Sequence, residues 1–313
     1  MAYRFKLDEP IQSGVRRIGA EQIDRAISEL VSNAGSVTAV HEARKSLKRV
    51  RALLRLVRPA IGEAAFEREN VFFRETSALL SHVRDREILL ETAVKLESRF
   101  SEPPDAAVGR LRMALSAEVE TETGVDDKAN ARAEAATRLR KARTRFMRLK
   151  LEPDGFEALS DGLEQSFRRA AKAFEHACEE PTNDSVHEWR KGVQQHWRHM
   201  LLLRRAWPEL ADARMHSARK LSQILGDDHD LAILQIHLGT ERPKTLTSRD
   251  LHSVVRLASQ RQSELRALAR PLGRKLFSDS PRSLGRRFAV YWSAALELRE
   301  FRTSSESNEQ PDS

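Results

Sequence analysis

Two stretches of the sequence carry the same order of side chains able to hold negative charge. Val40-His41-Glu42-Ala43-Arg44-Lys45 and Val186-His187-Glu188-Trp189-Arg190-Lys191 each set Arg and Lys three and four residues after a His. On a helix these positions share one face. Continued to residue 58, the first stretch gathers His41, Arg44, Lys45, Lys48, Arg51 and Arg55 in one sector, with Arg49 at its border. Ala43, Leu47, Val50, Leu54 and Val57 lie opposite. Cations at i,i+4 repel one another by roughly 0.2–0.5 kcal/mol per pair. A helix that needed only solubility would intersperse Glu on that face. Only Glu42 lies near, and on the wheel it points away from the basic sector, as Glu188 does. Residues 187–205 repeat the arrangement, with His187, Arg190, Lys191, Arg198 and Arg205 opposite Trp189, Val193, Met200 and Leu203. This second face is less basic, because Gln194, Gln195 and Trp197 stand where the first has Lys48, Arg49 and Arg51. Such faces suit a polyanion whose oxygens accept charge-assisted hydrogen bonds. A His beside that ligand would gain a proton, so binding should strengthen at mildly acidic pH.

Further cations join the candidate set. Arg138, Lys141, Arg145 and Arg148 follow i, i+3, i+7, i+10 on a third basic helix, which the spacing allows to line a shared groove. Arg74 and Arg219 occupy matching places in the two parts of the chain, and Lys275 belongs to a basic pair near the C-terminus. Other chemistry is thinner. Asp85 and Asp230 read as N-caps of new helical segments, the alternative being that they orient a neighbouring Arg or His. His196 and His199 have a spacing that could share a metal, but they fall on the apolar side near Met200 and read as core. No Gly-rich phosphate loop, Gly-x-Ser-x-Gly or paired-carboxylate signature is present. The expectation is a binding protein with no catalytic residues, no cofactor and no metal.

The elements that position these residues are helices. Ala, Leu, Arg and Glu recur at helical spacing, and the pattern predicts helices at 20–33, 37–58, 63–82, 85–100, 104–122 and 128–150. A second series follows at 154–178, 183–206, 209–225, 228–239, 247–270 and 282–301, with Pro and Gly marking the stops. The two His-x-x-Arg-Lys stretches lie 146 residues apart. Arg74 through Leu80-Ser81-His82-Val83-Arg84-Asp85 matches Arg219 through Leu225-Gly226-Asp227-Asp228-His229-Asp230 at an offset of 145. Several anchors in one order at nearly one offset predict an internal duplication. The fold expected is all-α, with two pseudo-symmetric antiparallel helical bundles around a basic central groove or cavity. Repeat 1 would span about 1–152 and repeat 2 about 153–302, with a polar, disordered tail at 303–313.

Composition agrees with a polyanion partner. The chain's 54 Lys and Arg against 46 Asp and Glu give a net charge of +8 and a pI near 9.9. Cys178 is the single cysteine, so neither an intrachain disulfide nor a thiolate zinc site can form. The N-terminus lacks the apolar run of a signal peptide, and no stretch approaches a membrane span. The reading is a cytoplasmic protein.

With these residues in view, the sequence resembles the CHAD family, the conserved histidine α-helical domain. The likeness rests on the two His-x-x-Arg-Lys helices, the Leu-x-x-x-Arg-Asp and Leu-Gly-x-x-His-Asp segments, the opening Tyr3-Arg4-Phe5-Lys6-Leu7 and the later Gly273-Arg274-Lys275-Leu276-Phe277. The resemblance implies two helical bundles around a basic cavity, binding of inorganic polyphosphate and recruitment to polyphosphate granules. Members often accompany or are fused to triphosphate tunnel enzymes; the β-rich Glu-x-Glu-x-Lys-type segment of such an enzyme is missing from this sequence. The alternatives are general nucleic-acid binding and a phosphate-transfer or hydrolysis enzyme. Single-strand binders interleave stacking aromatics with cations, and the basic sector of residues 41–55 has none.

Overall fold

Prolines and capping side chains punctuate the chain where the sequence pattern places its breaks. The computed structural model describes residues 3–32, 37–80, 85–100, 106–120 and 125–308. Among them are twelve helices and no strand: α1 (Ile11–Ser32), α2 (Val37–Leu56), α3 (Arg58–Ile61), α4 (Glu63–Leu79), α5 (Asp85–Arg99) and α6 (Ala106–Glu120). There follow α7 (Val125–Phe146), α8 (Glu157–Glu179), α9 (Asn183–Leu202), α10 (Pro208–Thr240), α11 (Ser248–Leu276) and α12 (Pro281–Asn308). Pro59 opens the short α3 and so ends α2; Pro208 and Pro281 open α10 and α12. Thr182 caps α9 through the Ser185 amide, and Thr247 with Asp250 forms a capping box on α11. Among the described residues no helix is long and apolar enough to cross a membrane.

Several boundaries differ from the sequence reading. α1 begins at Ile11, well before the expected start at 20, and α7 and α9 end at Phe146 and Leu202, so Arg148 and Arg205 lie beyond their helices. α10 runs unbroken through Gly226 to Asp230, so Asp230 lies inside a helix and caps nothing. The Gly-Asp-Asp run stays helical because its polar groups find tertiary partners: buried Asp228 accepts from Arg266 Nε at 2.7 Å. α11 continues past Pro271, whose cost in a helix interior is about 3 kcal/mol. Its last turn is anchored instead by packing, with Leu276 buried and Gly273 against Phe174 and Trp189. α12 extends to Asn308, past the point where the tail was expected to begin. Residues 309–313 lie outside the described residues.

Helices α1, α2, α4 and α7 enclose a core that includes Ile18, Ile23, Leu47, Leu54, Phe73 and Phe146. α1 packs on α2 and α7, and α4 packs on the same two, so α7 lies diagonally across the bundle from α2. In the later part of the chain α8 packs on α9 and α12, and α9 on α10. Phe174, Trp189, Val193, Leu221 and Leu276 form a core among α8, α9, α10 and α11. The α5–α6 hairpin, which the sequence reading assigns to repeat 1, packs against α10 and α11. There Leu89, Leu96 and Leu111 share a core with Leu231, Leu234 and Leu265. The two parts are therefore interlocked, not separate bundles.

Two glycines let α8 wedge between the basic helices. A Cβ on Gly162 would lie 1.7 Å from the Leu56 carbonyl oxygen at the end of α2. One on Gly192 would lie 2.8 Å from Ala170 of α8. α2 and α9 also meet directly: Gln195 Nε2 and His199 Nε2 contact the Ala52 carbonyl oxygen at 3.2 and 3.1 Å.

Candidate polyanion site

The crossing of α2 and α9 brings together cations that are about 140 residues apart in sequence. Lys48 stands at its centre. Its side chain is open to water yet set in a recess, and burial followed by Arg198, Arg44, Arg190 and Arg51 pushes its ammonium down to about 8. Desolvation disfavours a charged ammonium, and like charges add to that effect. Arg198 of α9 is lowered to about 10 by burial, with Arg49, Arg190 and Arg51 contributing. Arg55 is likewise lowered to about 10, by burial and then by Arg51, Arg169, Arg198 and Arg58. Arg51 feels Arg74 of α4 and donates from Nε to Asn70 Oδ1 at 3.1 Å. The face thus runs from Arg44 to Arg55 along α2, about 16 Å at 1.5 Å per residue.

At the α9 end the arrangement is softer. Arg190 lies near Asp230 and Asp227, which oppose the effect of its burial. Asp230 therefore takes the role offered as the alternative to capping, a carboxylate beside a site Arg. The His187 and His229 rings stack with centroids 4.3 Å apart. Burial, followed by Arg190, His187, Lys191 and Lys48, holds His229 at about 4. His187 is lowered by burial and then by Lys191 and Arg190. Both imidazoles are thus disposed to be neutral until an anion arrives.

Other sequence-chosen residues sit at the margin. Lys45 pairs with Glu42 at 3.0 Å and Lys191 with Glu188, the same i−3 pair on each helix. Glu42 and Glu188 thus reach the edge of the basic sector, contrary to the wheel. Such exposed pairs contribute little and can exchange for a ligand. His41 is exposed next to Glu42. Arg49 turns toward α1, donating to Gln22 Oε1 at 3.3 Å and lying over the Tyr3 ring. Arg219 is exposed on α10, two turns before Gly226 on the same helical face, and a Cβ on Gly226 would touch the Arg190 guanidinium at 3.7 Å. Lys275 is exposed in the last turn of α11.

The third basic helix does not converge on this face. On α7, Arg145 donates to both oxygens of fully buried Glu69, at 3.2 and 3.1 Å, and lies over Phe72. Arg138 pairs with Glu134 at 3.4 Å, while Lys141 and Arg148 are exposed on the far side of the bundle from α2. His196 and His199 are core residues, as read: His196 packs at a tilt against Phe167, and burial lowers both rings, His199 to about 3. Among the described residues no group of three or more His, Cys, Asp or Glu could hold a metal ion.

The CHAD domain family model matches residues 19–239. The chain belongs to this family. The matched span includes both His-x-x-Arg-Lys helices, α8 between them and nearly all of α10, hence every element of the CHAD face just described. Among solved structures, PptA from Streptomyces chartreusis is similar at 14% sequence identity and a TM-score of 0.59, over 87% of this chain and all of that one. At that identity the likeness speaks for the fold. No curated protein matches the sequence. Two groups of the CHAD face escaped the site list drawn from sequence. His229 lies within the repeated Leu-Gly-x-x-His-Asp segment, which could have flagged it. Arg169 of α8 carries no signal, since only packing brings it beside Arg55.

Proposed function

We propose that the α2/α9 face binds inorganic polyphosphate without catalysis, and that the chain acts as a polyphosphate-binding protein of the cytoplasm. The observation that carries this reading is the convergence of Lys48, Arg44, Arg51 and Arg55 with Arg190 and Arg198, cations drawn from two helices onto one recess. Holding them there costs free energy in the empty protein, and a polyanion offsets that cost. Polyphosphate presents about one charge per phosphate and no base or sugar to read. A face built of Arg and Lys, with an imidazole pair at one end, matches it. Charge-assisted hydrogen bonds contribute roughly 1.5–3 kcal/mol each, less where solvent screens them.

The order of packing supports the duplication. α1 packs on α2 and α7 and α2 on α4, as α8 packs on α9 and α12 and α9 on α10; the α4–α7 packing has no comparable match between α10 and α12. On this reading the basic groove lies between two copies of one unit and both contribute to it. Recruitment to polyphosphate granules follows if the groove takes long chains.

Competition at fixed salt tests the proposal. Long-chain polyphosphate should resist displacement by duplex DNA or RNA at equal phosphate concentration; ready displacement would abandon specificity for polyphosphate in favour of general nucleic-acid binding. Incubation with polyphosphate or triphosphate and an added divalent metal should release no phosphate. Sustained release would make the protein an enzyme.

A further inference from the structure

A large cleft lies elsewhere, between the N-terminal segment, the α9–α10 corner and α12. It encloses about 1270 Å³, above the roughly 300–1000 Å³ usual for small-molecule pockets. The N-terminal segment forms one wall and is firmly held: fully buried Phe5 donates its amide to the Leu202 carbonyl at 3.0 Å, and Tyr3 Oη donates to the Arg49 carbonyl at 2.8 Å. The cleft joins aromatic rings to cations. Trp207 and Tyr291 meet edge to face with centroids 4.8 Å apart, and Trp207 remains 44% exposed. Arg4 and Arg205 converge beside them: burial first, and then Arg205 and Arg204, lower the Arg4 guanidinium. Arg204 is occupied by Asp212 at 2.6 Å, whereas Arg205 is exposed. Asp8 and Glu209 also line the cleft, which sets them against a long polyanion passing through it.

We propose that this cleft is a second ligand site that takes a nucleoside polyphosphate, with the base against Trp207 and the phosphates toward Arg4 and Arg205. An aromatic face next to guanidinium groups recognises a base together with a phosphate. The acidic residues Asp8, Glu21 and Glu209 at the wall favour a short anion over a single strand of nucleic acid. The site is separate from the polyphosphate face and stands or falls without it.

Calorimetric titration of the full chain carrying Lys48→Ala and Arg198→Ala, which silences the α2/α9 face, with adenosine triphosphate in chelator, beside inorganic triphosphate, tests the assignment. Adenosine triphosphate should bind more tightly than triphosphate. Trp207→Ala should weaken it roughly tenfold, as expected for one lost base–aromatic stack. Trp207→Phe should restore most of that loss, which separates stacking from misfolding, and Arg205→Gln should weaken adenosine triphosphate as well. Lys48→Ala with Arg198→Ala should leave nucleotide affinity in place. The proposal is overturned if, with the α2/α9 face silenced in this way, triphosphate binds as well as the nucleotide, if Trp207→Ala has no effect there, or if the Lys48/Arg198 pair itself abolishes nucleotide binding. Polyphosphate titrations of the same variants report on the other face alone.

Discussion

α2 and α7 carry similar rows of cations at helical spacing, yet the fold gives them opposite uses. On α2 the row meets a second basic helix, and burial first, then neighbouring like charges, holds Lys48, Arg51 and Arg55 below their ordinary pKa values. On α7, diagonally across the bundle, Arg145 is spent on Glu69, Arg138 on Glu134, and Lys141, with Arg148 just past the helix end, faces water. The difference lies in what stands opposite each row. A cationic stripe stays crowded and unneutralised when the fold sets more cations against it, and becomes part of the scaffold when the fold supplies a carboxylate.

The strongest way to break this contrast is Lys48→Ala with Arg198→Ala. Both groups sit in the recess, and their removal should weaken polyphosphate binding by about 2–4 kcal/mol, on the order of 30- to 1000-fold, at moderate salt. Helicity by circular dichroism should be unchanged, since the variant relieves repulsion. A twofold change in calorimetric affinity would refute the recess as the site. Arg145→Ala should show the reverse profile. It leaves buried Glu69 with only Arg68 beside it, at 3.0 Å, and should cost about 1–2 kcal/mol of stability while polyphosphate affinity stays unchanged.

The imidazole pair sharpens the contrast through pH. His229 is about 4 in the folded protein against 6.5 ordinarily, so between those values the unfolded chain binds more protons. Stability of the free protein should therefore fall as pH drops from about 6.5 to about 4, and His229→Gln should flatten that slope in thermal melts. Bound polyphosphate raises the same pKa, so affinity should instead increase as pH falls through this window. A polyphosphate affinity that does not rise on acidification in the wild type would remove the histidines from the site. The smallest effect is expected from Arg138→Ala, Lys141→Ala and Arg148→Ala together. Their charges are exposed across the bundle from α2, where salt screens them with a Debye length of about 8–10 Å, so affinity should stay within about twofold.

Much of the helical framework was legible because proline stops and amphipathic spacing are local properties. The boundaries of α2, α4, α5 and α9 lie within a few residues of those expected. The continuity of α10 was not legible, because what keeps Asp228 inside a helix is Arg266, from another helix. The site was half legible. The wheel found the α2 and α9 faces, but it could not say that α7 looks elsewhere, or that Arg169 arrives from α8. Gln195 shows the reverse lesson. Its loss of charge relative to Arg49 looked like weakening, yet its amide joins α9 to the Ala52 carbonyl of α2 and accepts from Arg55 at 3.5 Å. The least basic stretch of the second helix is the joint that holds the two basic faces together.

The seating of the α5–α6 hairpin on α10 and α11 has a consequence for biosynthesis. Leu89, Leu96, Leu111 and Leu115 leave the ribosome well before Leu231, Leu234 and Leu265, the residues that cover them. At roughly 5–20 residues per second, the hairpin waits on the order of ten seconds with its apolar stripe in water. A nascent chain arrested near residue 152 would display that stripe, making the first part of this protein a natural client for chaperones that grip exposed leucine-rich helices.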